Sequence, residues 1–135
     1  MKVSSIACLA LLLAVTALSC GVQGEFGFKR FGDDIYRRID GTPEFASDED
    51  VDWVFMLKKP YVGRSIGIIC QKKELVWADV TERSQQITET DKAIYGTIKD
   101  LQPGEYRLVL TQVKEKNKLI ASKDFIIYER DDEEE

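Results

Sequence analysis

From Asp52 onward, apolar and polar residues follow one another in short runs. Trp53-Val54-Phe55-Met56-Leu57 is apolar and stops at Lys58-Lys59-Pro60. Between Ser65 and Gln71 the residues alternate, so Ile66, Ile68 and Cys70 share one face of a strand. Gln71-Lys72-Lys73 reads as a turn, and Leu75 to Val80 follows as a strand that carries Trp77. Ile94, Gly96 and Ile98 share a face in Ala93 to Ile98, as Tyr106, Leu108 and Leu110 do in Glu105 to Val113. Lys114-Glu115-Lys116-Asn117-Lys118 reads as a polar hairpin loop, and Leu119 to Tyr128 as the last strand. Short strands with turn residues between them, and no long helical period, predict an all-β antiparallel sandwich over residues 51–130. The chain has no internal repeat.

Residues 20–50 have a different texture. Phe26, Phe28, Phe31, Ile35, Tyr36 and Ile39 are interleaved with Lys29, Arg30, Arg37 and Arg38. Phe28, Phe31, Ile35 and Ile39 fall at helical spacing, which predicts a short helix, although Gly32 inside it costs about 1 kcal/mol. Gly41-Thr42-Pro43 ends the pattern, and Ala46 to Asp50 is an acidic connection. The segment is expected to be a tether that packs on the domain, or a docking segment, since aromatic and basic residues together suit an interface.

The first residues are of another kind again. Met1-Lys2 is followed by an apolar run from Val3 to Leu18, then Ser19-Cys20-Gly21. The run is shorter than the roughly 20 apolar residues of a bilayer span, and small residues follow it, which marks a cleaved export signal. Residues 1–19 are assigned to the signal if cleavage precedes Cys20, and residues 1–24 if it follows Gly24, where Val22 and Gly24 fill the small-residue positions. The order around Cys20 resembles the lipobox of bacterial lipoproteins, in a relaxed, spirochaete-like form with Ala17 where Leu is customary. The resemblance implies acyl chains on Cys20, a membrane as partner and a place in the bacterial cell envelope. Each buried methylene would add about 0.8 kcal/mol of membrane affinity. Cleavage after Gly24 implies a freely secreted protein instead.

Composition narrows the chemistry. About 111 to 116 residues remain after the signal, one domain's worth. Asp131 to Glu135 are all acidic and account for the whole net charge of −5, so they read as a solvated tail. No basic stripe suggests nucleic acid. Cys8 leaves with the signal, and Cys20 leaves or is acylated. Cys70 is then alone, and a disulfide within the chain is not expected. There is no histidine, hence no His-activated nucleophile and no ordinary catalytic zinc site. Asp33-Asp34 are adjacent on one element and point apart, a poor acid–base pair. No phosphate-binding glycine loop or metal-ligand cluster is legible. The chain is therefore read as a non-catalytic module with no cofactor and no metal.

Leu101-Gln102-Pro103-Gly104-Glu105-Tyr106 is the strongest local motif. Pro103 and Gly104 suit a turn between sheets. The motif resembles the Leu-x-Pro-Gly-x-Tyr entry to strand F of fibronectin type III and related immunoglobulin-like domains. That resemblance implies an immunoglobulin-like sandwich with Tyr106 as a tyrosine corner. It places Leu108 where antibody-type domains carry the second cysteine, Cys70 on a candidate strand B, and Trp77 as the core tryptophan of strand C. It is silent on function. The surfaces expected to bind an envelope protein or glycan are Phe26 to Ile39 and the loop Arg83 to Lys92. A structural subunit of an envelope assembly is the alternative.

Overall fold

The computed structural model describes residues 24–57 and 61–131. Its described residues form eight strands and no helix: β1 (Gly24–Lys29), β2 (Glu44–Ala46), β3 (Val51–Leu57), β4 (Ser65–Lys73), β5 (Trp77–Gln86), β6 (Ala93–Ile98), β7 (Gly104–Gln112) and β8 (Lys118–Tyr128). They make two sheets, β1-β3-β6 and β2-β8-β7-β4-β5. All pairings are antiparallel except β2 with β8, where Glu44 to Ala46 run parallel to Ile126 to Tyr128. The all-β sandwich expected from the alternation is thus present.

The core lies between the sheets and follows the strand period. Ile66, Ile68 and Cys70 from β4, Ile94 and Ile98 from β6, and Tyr106, Leu108 and Leu110 from β7 all point inward and are buried. Aromatic rings pair both across the layers, as Phe28 with Phe45, and within the larger sheet, as Tyr106 with Phe125. Phe28 meets Phe45 at 5.4 Å between centroids, and Tyr106 stacks on Phe125 at 5.4 Å. Such ring pairs add about 0.5–1.5 kcal/mol each beyond the area they bury.

The expected short helix does not form. Phe26 and Phe28 instead alternate along β1, which pairs with β3 over its full length, from Gly24↔Leu57 to Lys29↔Asp52. Gly32 takes a left-handed φ of 89° in a tight turn, and Phe28 bonds back to Arg37 through both backbone groups at 2.8 Å. Phe31 is 96% exposed, so the helical stripe had no surface to cover. A strand-pairing partner at the open edge of β3 outweighs a weak helical period.

The segment expected as a tether therefore supplies two strands, one to each sheet. Its crossover is fastened to the second sheet by Lys123, whose Nζ donates to the carbonyls of Ile39 and Gly41 at 2.8 and 2.7 Å. Farther along, Arg30 forks onto Glu49, with Nη2 to Oε1 at 2.6 Å and Nε to Oε2 at 3.3 Å. The Ala46 amide also donates to Glu49 Oε1 at 2.8 Å. Burial pushes the Glu49 pKa up, but the Arg30 hydrogen bond, the Ala46 amide and the charges of Arg30 and Arg130 outweigh it, leaving a net depression. A carboxylate whose pKa is lowered by folding stabilises above its unfolded value, about 4.3, and the gain is lost as pH falls through the folded value. Glu49→Gln should therefore weaken the fold at neutral pH and flatten the loss of stability below about pH 4.3. Urea unfolding at a series of pH values reads both effects.

Candidate functional site

The turn into β7 is built from its own residues. Pro103 and Gly104 carry the chain from Leu101 into β7, and Tyr106 follows as the strand's third residue. The Tyr106 hydroxyl donates to the Gln102 carbonyl at 2.6 Å while its ring is buried. This is the geometry of a tyrosine corner. Burial, aided by the nearby Cys70 and Glu74, raises the Tyr106 pKa, so the hydroxyl remains a donor at neutral pH. Tyr106→Phe is expected to cost about 1 kcal/mol in chemical denaturation, and an unchanged midpoint would remove the hydrogen bond from the account.

Cys70 and Leu108 do not face each other across the sandwich. They are register partners in neighbouring strands of one sheet, β4 and β7. Cys70 thus does not lie on a strand-B equivalent. The reason is β1: a count of strands that begins at residue 51 misses it, and each later strand is labelled one place too early. Burial pushes the Cys70 thiol up to about 11, so it stays protonated and unreactive at neutral pH. Thiol labelling of the folded domain should accordingly be slow and should accelerate with unfolding.

Trp77 does not enter the core. It is half-buried at the start of β5, on the outer face of the five-stranded sheet, with the Arg107 guanidinium 4.1 Å from its ring centroid. Arg107 in turn forks onto Asp124, with Nε to Oδ1 at 2.6 Å. The core tryptophan is Trp53 on β3, 2% exposed. It sits opposite Gly96 of β6, where a Cβ would lie 2.5 Å from two of its ring carbons. Gly96 is the clearing that lets the indole lie flat over β6.

Beside Trp53 the sandwich is open. β5 and β6 are the last strands of their respective sheets, and a crevice of about 150 Å3 lies between them. Trp53, Cys70 and Leu108 form its floor, while Thr81, Arg83 and Thr97 form its rim. Arg83 spans the opening, donating from Nη2 to the Tyr95 carbonyl of β6. Among the described residues no strand pairs with the outer edge of β5, and nearly all its side chains are exposed. Free backbone groups along such an edge can accept another extended chain.

Of the Arg83 to Lys92 loop, Arg83 to Gln86 belong to β5 and only the remainder connects. Asp33 accepts from the Arg30 amide at 2.9 Å and closes a turn, a structural use of one acid of the Asp33-Asp34 pair. A second apolar patch lies on the outer face of the smaller sheet, where Tyr36, Met56 and Tyr95 cluster. Among the described residues, no group of three or more His, Cys, Asp or Glu could hold a metal ion. Cys20 and the last four acids lie outside the described residues.

No family model matches the chain, and no curated protein does. Among solved structures it is similar to an immunoglobulin-like protein from Pseudomonas aeruginosa, with a TM-score of 0.54 and 16% identity over 79% of this chain and 94% of that one. The fold is immunoglobulin-like. The soluble domain of PmoD from Methylocystis is also similar, with a TM-score of 0.52 and 10% identity over 80% of this chain and 98% of that one. A lytic polysaccharide monooxygenase from Jonesia denitrificans superposes less well, with a TM-score of 0.46 and 18% identity over 67% and 61% of the two chains.

In this immunoglobulin-like sandwich the open edge is what sequence reasoning missed. β5 runs from Trp77 to Gln86, but only its first few residues alternate in polarity. Thr81-Glu82-Arg83-Ser84-Gln85-Gln86 is wholly polar and gives no strand period. The available signal was indirect. Thr81 to Lys92 is long for a connection between two strands, and a polar, charged strand is the ordinary composition of an edge.

Proposed function

We propose that the chain is an exported, non-catalytic binding module, held to a bacterial envelope membrane by acyl chains on Cys20. Its partner on this reading is another envelope protein, engaged along β5, with a surface glycan as the second choice. The observation that carries the binding reading is the unpaired edge of β5 beside the Trp53 crevice. A strand added there would gain backbone hydrogen bonds from β5 and could place alternate side chains toward the crevice.

The anchoring reading draws on the Leu18-Ser19-Cys20-Gly21 order, and the position of β1 supports it. Gly24 is buried and pairs with Leu57 as the first residue of β1. Cleavage after Gly24 would remove a strand residue, whereas cleavage before Cys20 leaves β1 whole. A freely secreted chain is therefore the less favoured reading.

A photo-crosslinking side chain at Val80, on β5, tests the binding surface in intact cells. The proposal expects a discrete adduct from Val80 and none from the same group at Leu119 on β8. Equal labelling from both positions, or an adduct only from Leu119, would point away from the β5 edge. Deleting residues 25–40 is not a usable alternative, because it removes β1 and with it one edge of the smaller sheet.

A further inference from the structure

Arg83 stands on the inward face of an edge strand. In the register of β4 with β5, Gln85 lies opposite Ile66, Arg83 opposite Ile68 and Thr81 opposite Cys70. Directly opposed residues of an antiparallel pair share a face, and Ile66, Ile68 and Cys70 are buried. Thr81, Arg83 and Gln85 therefore point to the interior side of the larger sheet, with Thr81 and Arg83 at the mouth of the Trp53 crevice. Arg83 crosses that mouth to donate to the Tyr95 carbonyl of β6, and among the described residues no carboxylate pairs with it.

The acids of β5 face the other way. Glu82 lies opposite Ile69, on the outer face. Between Thr81 and Asp79 the register slips, so Val80 has no partner on β4. That bulge turns Asp79 outward as well, where Gln71 Nε2 donates to its carboxylate at 2.9 Å. The inward face of β5 thus carries a cation and no anion.

A strand laid along the outer edge of β5 would cover the crevice mouth and take Arg83 out of water. A charge buried there without a counter-charge is strongly unfavourable. A second copy of the chain cannot supply one. Pairing β5 with itself sets inward residues against inward residues, so Arg83 meets a neutral side chain or another Arg83, never an acid. Inward-pointing charge is one of the ways proteins keep sheets from joining edge to edge.

Given a docking edge at β5, as proposed for this chain, we infer that Arg83 selects what docks. The edge rejects a second copy of the chain and accepts an extended protein segment that turns a carboxylate toward the crevice. The guanidinium then leaves the Tyr95 carbonyl for a charge-assisted pair with that carboxylate. Backbone hydrogen bonds along β5 hold the segment, and the carboxylate supplies the specificity.

The chain from Gly21 to Glu135 holds every described strand and reads self-pairing without a partner. In sedimentation velocity, Arg83→Val and the polar, uncharged Arg83→Thr should associate as concentration rises, while the parent chain and Arg83→Lys stay monomeric. Circular dichroism checks that each variant is folded. Association of the parent chain, or folded neutral variants that remain monomeric, would overturn the inference. In intact cells, Arg83→Glu should reduce the adduct from a crosslinker at Val80 at least roughly tenfold, and Arg83→Lys should keep most of it. An undiminished adduct from Arg83→Glu would overturn the acidic partner and leave the β5 edge standing. No adduct from the parent chain would remove the docking edge itself, and the selection by Arg83 with it.

Discussion

Trp53→Ala is expected to destabilise the domain by about 3–5 kcal/mol, the range for deleting a buried large aromatic side chain. The indole is 2% exposed in the central strand of the smaller sheet and close to Phe26, 6.2 Å between ring centroids. Single domains are stable by only about 5–15 kcal/mol, so the loss is a large share of the total. At about 4–8 °C per kcal/mol for a small domain, the melting temperature should fall by at least about 12 °C. The other tryptophan supplies the contrast. Trp77→Ala removes a half-exposed ring under Arg107 and should cost about 0.5–1 kcal/mol, the scale of an exposed cation–π contact. Urea unfolding followed by far-ultraviolet circular dichroism compares the two without depending on either fluorophore. Equal losses would show that the core tryptophan has been misassigned.

Gly96→Ala carries the second large effect. The added methyl would stand 2.5 Å from Cε2 and Cζ2 of Trp53, well inside van der Waals contact. The indole is rigid and is held from the other side by the core, so β6 must move or the ring must leave its rotamer. Overpacking of this kind costs about 1–3 kcal/mol. The two substitutions should also be strongly non-additive. In a Trp53→Ala background the methyl at residue 96 meets the space the indole left, and most of its cost should vanish. Contacting residues show coupling energies of about 0.5–3 kcal/mol, and a value at the upper end is expected here. A double-mutant cycle by chemical denaturation measures it, and simple additivity would mean that Gly96 is small for some other reason.

Much of the sandwich was legible because its inward faces are apolar and its strands keep a strict two-residue period. Ile66-Ile68-Cys70, Ile94-Gly96-Ile98 and Tyr106-Leu108-Leu110 each announce one buried face, and each is a core row of a strand. The failures share a physical cause: where a strand has no face to bury, or its partner is distant in sequence, the local pattern carries little information. The polar half of β5 belongs to the first kind. β1 belongs to the second, because Phe28, Phe31, Ile35 and Ile39 are spaced as a helix while β3, twenty-odd residues on, decides the outcome. Missing β1 then displaced the roles given to Cys70 and Trp77. Leu75 and Val76, read as strand residues, form the exposed tip of the β4–β5 hairpin, because β4 continues through Lys73.

The candidate site was less legible than the fold for the same reason. An edge strand advertises itself by its lack of neighbours, which is a property of the sheet and not of its own residues. The crevice beneath it joins β3, β4, β5, β6 and β7, and no local window spans all five.

The proposed anchoring at Cys20 joins the export signal and an intact β1 in one account, and intact-mass analysis of the membrane-extracted protein tests it most directly. The account predicts a chain that begins at Cys20 and carries a diacyl or triacyl adduct on that residue. A soluble chain that begins at Glu25 with no added mass would contradict it.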